Sequence, residues 1–264
     1  MGRRLGQHFL EDERVLEFEA ECADLKGKSV LEIGAGDGRL TSKLLAHGAR
    51  HVIAVELDSK LAKRLKAKFK SKVQIHQRDF LDFDESVQVN VVIGNIPYYI
   101  TSPILLKLSR MHFDRAILCI QKEVASRMVA KCGTREYGRL SVFCQLCFKI
   151  KVLAEVPAQA FRPAPKVDSC IVMLEKTGFA FDKIAEKVIA AIFSHKKKSL
   201  KNSIIDARKE IFGTSDKKYA TAAAQTLKYL NRKVFTFSPS EILEIAEQLI
   251  RWHSSSSSLK MRIP

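Results

Sequence analysis

Residues 28–45 constrain the fold of this chain more than any other stretch. An apolar run predicts a strand over 28–33. It leads straight into Gly34-Ala35-Gly36-Asp37-Gly38, and a helix bearing Leu40, Leu44 and Leu45 follows. Strand, glycine turn and helix in this order open the doubly wound nucleotide-cofactor folds. Glycines at such a turn let the backbone approach a ligand closely. The spacing is not that of a phosphate cradle, because Gly38 comes two residues after Gly36 rather than three. Glu32 would also meet a pyrophosphate with the wrong charge. An acid there suits a cofactor that carries a cation, such as the sulfonium and α-amino group of S-adenosyl-L-methionine.

The later strands end in groups of matching chemistry. A strand over 51–56 closes on Glu56, 22 positions after Gly34, where a carboxylate accepts from ribose hydroxyls. A strand over 73–76 leads to Asp79 and Phe80. There Asp79 would accept from the exocyclic amine of an adenine ring and Phe80 would flank that ring. The apolar run 89–93 leads to Asn95-Ile96-Pro97-Tyr98. An amide, free backbone carbonyls and an aromatic ring at one strand end can grip a planar base by its exocyclic amine. Those four residues alone fit an ordinary turn equally well. Strands are also expected over 115–120, 151–156 and 170–174, and helices from about 12 (Val15, Phe18 and Cys22 inward), from 102 and over 123–129. This rhythm describes a parallel α/β sheet. Between the last two strands, Pro163 and Pro165 hold Phe161 to Ser169 extended. Arg162 and Lys166 flank the Phe161 ring there, a pattern suited to base and backbone contact.

Past Gly178 the strand rhythm stops and helical periodicity runs to 253. The expected division is 1–177 and 178–253, with a serine-rich, disordered tail over 254–264. The chain carries 45 Lys+Arg against 29 Asp+Glu, net +16, and residues from 178 on hold 16 against 8, half of that excess. The partner this implies is a polyanion, nucleic acid before membrane. Lys196, Lys197, Lys198 and Lys201, beside His195, mark a candidate phosphate-contacting patch. The lysine run after Glu56 reads as a solvated helix face. The six cysteines include one CxxC, Cys144 to Cys147, inside an apolar run, so core packing is expected and no metal site. Reduced thiols suit the cytoplasm. No apolar run reaches the ~18 residues of a membrane span, the N-terminus has no apolar signal core, and Gly6 stands where a myristoylation signal wants Ser or Thr.

Taken in order, Gly6-Gln7-His8-Phe9-Leu10, Glu32-Ile33-Gly34-Ala35-Gly36, Glu56, Asp79-Phe80-Leu81, Asn95-Ile96-Pro97-Tyr98 and Phe161-Arg162-Pro163-x-Pro165-x-Val167-Asp168-Ser169 resemble the KsgA-type family of small-subunit rRNA adenine N6,N6-dimethyltransferases. The Gln7-His8 pair resembles the archaeal and eukaryotic branch, and the short C-terminal part an archaeal member. The resemblance implies a Rossmann-like, S-adenosyl-L-methionine-dependent methyltransferase domain followed by a small all-helical RNA-binding domain. It implies a cofactor pocket formed by His8, Leu10, Gly34, Glu56, Asp79 and Asn95, beside Glu32 and Gly36. The implied reaction methylates N6 of two adjacent adenosines in a hairpin loop near the 3′ end of small-subunit rRNA. The Asn95 side-chain oxygen and the Ile96 carbonyl would accept from the N6 hydrogens, with Tyr98 and Phe161 on the two faces of the base. The implied partners are small-subunit rRNA and the immature small subunit, and the chain is expected to act as a monomer. Three alternatives compete: a nicotinamide oxidoreductase, disfavoured by Glu32 and the Asn95 motif; a large-subunit rRNA methyltransferase; and an assembly factor whose binding outweighs its catalysis.

Overall fold

The computed structural model describes residues 8–260. The expected Gln7 and the residues before it lie outside that range. The chain divides into two compact units, Met1–Ala125 with Phe148–Gly178, and Ser126–Cys147 with Phe179–Pro264.

The first unit is built on β1 (Phe9–Leu10), β2 (Ser29–Ile33), β3 (His51–Glu56), β4 (Val73–Gln77), β5 (Val91–Asn95), β6 (Arg115–Gln121), β7 (Phe148–Val156), β8 (Phe161–Arg162) and β9 (Ser169–Lys176). Its helices are α1 (Glu13–Ala23), α2 (Arg39–Ala46), α3 (Ser59–Phe69) and α4 (Thr101–Arg110). Seven strands form one sheet in the order β4-β3-β2-β5-β6-β9-β7. The first five are parallel, as their apolar runs and intervening helices require. Here the structure departs from the all-parallel expectation: β9 lies antiparallel to both β6 and β7. The order reverses at β2, with β3 on one side and β5 on the other. That is the switch point where open α/β sheets bind ligands.

Two short strands join motifs remote in sequence. β1 pairs antiparallel with β8, setting Phe9 opposite Arg162 and Leu10 opposite Phe161. Asp12 then caps α1, its side chain accepting from Arg14 N–H at 2.9 Å. The inner face of α1 is Leu16, Glu19, Ala20 and Ala23, while Val15, Phe18 and Cys22 are only partly buried. The expected stripe is thus one position out of phase, because the helix carries small and apolar residues on both candidate faces.

The second unit contains α6 (Arg139–Cys147), α7 (Lys183–Phe193), α8 (Leu200–Asp206), α9 (Arg208–Phe212), α10 (Lys217–Gln225) and α11 (Pro239–Lys260), and α5 (Lys122–Met128) spans the division. Its core joins Tyr137 and Val142 to Val188, Ile192, Leu200, Phe237 and Leu249. The Tyr137 hydroxyl donates to the Phe237 carbonyl at 2.8 Å. The helical unit therefore recruits residues 126–147, ahead of the expected boundary at 178. Cys144 and Cys147 are fully buried, and burial pushes the Cys144 thiol well up. Of the expected disordered tail, residues 254–260 instead continue α11 through the serines to Lys260, and 261–264 lie outside the described residues. Extending a formed helix costs far less than nucleating one, and the Ser254 and Ser255 hydroxyls bond back to the carbonyls of Ile250 and Arg251. Among the described residues no helix is long and apolar enough to cross a membrane.

Candidate active site

The carboxyl ends of β2, β3 and β5 meet at one cleft, and hydrogen bonds fix each in place. The Gly34 N–H donates to the Val55 carbonyl at 2.8 Å, which lays the glycine turn across the end of β3. Gly36 adopts φ +58, and a side chain there would come within 3.2 Å of the Phe9 ring. Its N–H donates to Glu56 Oε2 at 2.8 Å, while Glu56 Oε1 accepts from Asp58 N–H at 2.8 Å. Glu56 is almost wholly buried. Each oxygen uses one lone pair on the protein and keeps acceptor capacity for a ligand hydroxyl. Asp79 follows β4 and caps the short turn at Phe80, Oδ1 accepting from Leu81 N–H at 2.9 Å.

Gly94 brings β5 unusually close to β2: a Cβ on it would lie 2.4 Å from the Ile33 carbonyl oxygen. The next residue, Asn95, is the last of the strand. Its Oδ1 is buried and accepts no hydrogen bond. Ile96 N–H donates to the Cys119 carbonyl at 3.0 Å, which holds the loop against β6. The Tyr98 hydroxyl and Ser169 Oγ share a hydrogen bond of 2.8 Å. The Tyr98 ring lies 6.2 Å from His8 at 24°. His8 Nδ1–H donates to the Pro163 carbonyl at 2.6 Å, leaving Nε2 at the opposite end of the ring. Phe161 is 4% exposed and packs in the core with Leu10. It forms part of the cleft wall rather than a free stacking surface.

Two further carboxyls of this unit, Glu32 and Glu19, are buried. Glu32 is buried, and its Oε2 accepts from the Thr41 hydroxyl at 2.6 Å, tying β2 to α2. Burial pushes its pKa up to about 8; the Thr41 bond draws it down and the charge of Glu56 pushes it up again. Glu19 on α1 is fully buried, and neither of its oxygens has a hydrogen-bond partner.

The cleft holds about 370 Å³, within the range of small-ligand sites. Its walls bring together His8, Leu10, Glu32, Gly34, Gly36, Glu56, Asp79, Asn95, Ile96, Tyr98 and Phe161, all the cofactor and catalytic candidates of the sequence. They also include Arg39, Tyr99, Cys119 and Ser169, which sequence reasoning passed over. Tyr99 is 64% exposed, and its place directly after Tyr98 was the available signal. The donor set fits S-adenosyl-L-methionine. Glu56 keeps free acceptors for ribose hydroxyls, Asp79 and Phe80 flank the next strand end, and an acid rather than a phosphate cradle sits under the turn.

The basic candidates divide. Arg162 is exposed, its Nε 3.9 Å from Glu11 Oε2, and Lys166 is exposed beside it. Within the helical unit, Lys197 is exposed and Lys201 half-buried. Lys198 is paired with Asp206 at 2.6 Å. Lys196 differs from the expected phosphate contact: its Nζ donates to the carbonyls of Arg135 and Tyr137 at 2.9 and 2.7 Å. Burial lowers its pKa, and the nearby Arg127 charge adds to the effect.

Residues 2–237 match the model of the ribosomal RNA adenine dimethylase family. A probable ribosomal RNA small subunit methyltransferase A of Methanopyrus kandleri is 37% identical over 254 residues, covering 92% of this chain and 90% of that protein. A ribosomal RNA small subunit methyltransferase A of Thermotoga maritima is 40% identical over 207 residues, covering 76% of this chain and 74% of that protein. Among solved structures, a dimethyladenosine transferase from Plasmodium falciparum superposes with a TM-score of 0.79 at 27% identity, over 92% of this chain and 98% of that one. The 23S rRNA methyltransferase ErmE gives 0.63 at 27% identity, over 92% and 99%. With the family model spanning nearly the whole sequence and a relative 37% identical over 92% of it, this chain belongs to the ribosomal RNA adenine dimethylase family.

Proposed function

We propose that this enzyme dimethylates N6 of two adjacent adenosines in a hairpin loop near the 3′ end of small-subunit rRNA. The observation that carries the site assignment is Asn95 Oδ1: a buried acceptor with no protein partner, at the switch point of the sheet. A buried polar atom without a partner is costly, so its retention at a cleft points to a ligand that donates to it. An exocyclic amine is such a donor.

When bound, S-adenosyl-L-methionine supplies a methyl group activated on a sulfonium. The chain's own residues bind and orient. Glu56 accepts from ribose hydroxyls, Asp79 accepts from the cofactor's adenine amine beside Phe80, and His8, Leu10, Gly34 and Gly36 close the pocket. Glu32 lies near enough for a bound cation to favour its ionised form. On the substrate side, Asn95 Oδ1 and the Ile96 carbonyl accept from the N6 hydrogens. The two acceptors draw the N6 lone pair out of conjugation with the purine ring and make the nitrogen nucleophilic. No strong general base is needed, and positioning carries most of the rate. Tyr98 offers a ring held by Ser169, so the base meets a preset stacking face, and Phe161 walls the other side. Extruding the base costs a few kcal/mol, which this stacking offsets.

Recognition of the immature small subunit rests on the exposed basic residues Arg162, Lys166 and Lys197 and the half-buried Lys201, with the enzyme acting as a cytoplasmic monomer. The test is transfer of labelled methyl groups to undermethylated small subunits, naked small-subunit rRNA and large subunits. Incorporation of two adjacent dimethyladenosines into the small-subunit substrate is expected. Asn95→Ala should lower turnover by at least ~100-fold, by loss of an oriented acceptor, with cofactor affinity still measurable. Near-normal turnover in that variant, or preferential labelling of large subunits, would overturn the proposal.

A further inference from the structure

A folded protein rarely buries a lysine without giving it partners, and Lys107 on α4 is only 5% exposed. Its Nζ donates to the Leu81 carbonyl at 2.9 Å and to the Phe83 carbonyl. The same nitrogen lies over the Phe80 ring, 5.6 Å from its centre, and 3.8 Å from Glu85 Oε1. All four groups belong to residues 80–85, the stretch that follows Asp79. Asp79 and Phe80 line the cleft; Lys107 does not, so it can act on a ligand only through that stretch.

The stretch needs an outside anchor. Phe80–Asp82 is a single helical turn, closed by Asp82 N–H to the Asp79 carbonyl at 3.1 Å and Phe83 N–H to the Phe80 carbonyl at 3.0 Å. One turn fixes several dihedrals for very few bonds and is not stable by itself. α4 packs against it, and Lys107 ties it down by two carbonyls. Leu81 is held from both ends: its carbonyl accepts from Lys107, and its N–H donates to Asp79 Oδ1 at 2.9 Å. A buried lysine, one turn residue and the Asp79 carboxyl thus form a continuous hydrogen-bonded chain that ends at the cleft.

We propose that Lys107 is a positioning residue for the cofactor: by anchoring Leu81 and Phe83 it sets the Asp79 carboxyl where it accepts from the cofactor's adenine amine, with Phe80 held beside that base. This rests on the reading of Asp79 as the acceptor for that amine. An apolar side chain at 107 would take the donor away from both carbonyls. They would turn outward to reach water, and Leu81 would carry Asp79 with it. The ribose side of the cleft would be spared, because Gly34 and Glu56 are fixed by bonds of their own to Val55, Gly36 and Asp58.

The experiment compares the parent enzyme with Lys107→Met and Lys107→Leu, which keep the apolar stem of the side chain and remove its donor. Two variants guard against a packing failure in one, and Tm establishes that each is folded. Calorimetry gives the Kd of S-adenosyl-L-homocysteine, the demethylated cofactor, and of S-inosyl-L-homocysteine, in which a carbonyl oxygen replaces the adenine amine. The parent should prefer the adenosyl ligand by ~10-fold or more, since the inosyl oxygen would face the Asp79 carboxyl acceptor against acceptor. In both variants the adenosyl Kd should rise ~10-fold while the inosyl Kd stays within about threefold, so the preference collapses. A merely structural role would lower Tm and weaken the two ligands alike, leaving their ratio intact. A parent-like ratio in either folded variant would therefore overturn the proposal. Asp79→Ala separates the two layers. If it abolishes the preference while Lys107→Met and Lys107→Leu retain it, the Asp79 reading stands and the positioning role fails. If the parent shows no preference, or Asp79→Ala keeps it, the Asp79 reading fails and the role of Lys107 falls with it.

Discussion

Two buried carboxyls, Glu19 and Glu32, give this protein an alkaline weakness. Burial raises each from 4.5 to about 8. Between those values the unfolded chain has released both protons and the folded chain still holds them. The unfolded state therefore binds fewer protons, and stability falls as pH rises through that window, levelling off above about 8. The size is several kcal/mol at most, since relaxation around a buried acid softens it. His76 works in the opposite sense near neutrality, because burial and the neighbouring Arg78 lower its pKa. The comparison that isolates Glu19 is thus the difference between parent and Glu19→Gln. Thermal melts from pH 5 to pH 9 should show the parent losing Tm more steeply, with the curves diverging toward pH 8. Parallel curves would mean that Glu19 ionises like an exposed acid. Glu56 and Asn95 were legible because they end apolar runs, where a polar residue stands out, and Asp79 because it follows the next strand. Glu19 was not. The alternative stripe of Val15, Phe18 and Cys22 is as apolar as the true one, so the helix phase could not be settled from α1 alone. The acid was the signal, and an apolar-moment argument discards it.

At the scale of elements, the site depends on how closely β5 passes β2. Gly94 makes that approach possible, and Asn95 sits at its end. Gly94→Ala would place a methyl 2.4 Å from the Ile33 carbonyl, a backbone atom that cannot swing away. The strands must part locally. A loss of about 1–3 kcal/mol by urea unfolding is expected, together with a drop in turnover, because the displaced residue carries the amide next in sequence. Unchanged stability and turnover would show that the β2–β5 register has slack. The parallel core of the sheet was readable, since its strands are short apolar runs separated by helices. The antiparallel end was not, because a buried apolar run looks the same in either direction. β9 follows β7 by way of β8 and a proline-bearing loop, too short for a crossover helix. That length was the cue for antiparallel pairing. The β1–β8 pairing was hidden for a different reason. Two-residue strands carry no period, yet this one sets Leu10 beside Phe161, both of which line the cleft.

Over the whole molecule, net charge +16 states that the partner is a polyanion but does not say which lysines meet it. Lys196 and Lys197 are neighbours in a run that reads as one patch, and the structure gives them different work. Lys196 Nζ holds the carbonyls of Arg135 and Tyr137, so it staples residues 126–147 to the junction of α7 and α8 inside the helical unit. The same bonds explain why the boundary in sequence lies elsewhere than at 178: periodicity marks where helices begin, not which distant segment they enclose. Lys197 is exposed. Lys196→Ala should therefore lower Tm, because the carbonyls of Arg135 and Tyr137 lose a shared charged donor, a cost of about 1–3 kcal/mol. Its effect on the salt dependence of RNA binding should be small. Lys197→Ala should leave Tm unchanged and make the slope of log K against log salt shallower by roughly 0.7–0.9, the share of one phosphate contact. Fluorescence anisotropy with a small-subunit rRNA hairpin at several salt concentrations reads the slope, and melts of the same proteins read Tm. If both variants shift the slope alike while neither shifts Tm, the run is a single electrostatic patch after all, and the staple formed by Lys196 contributes nothing to stability.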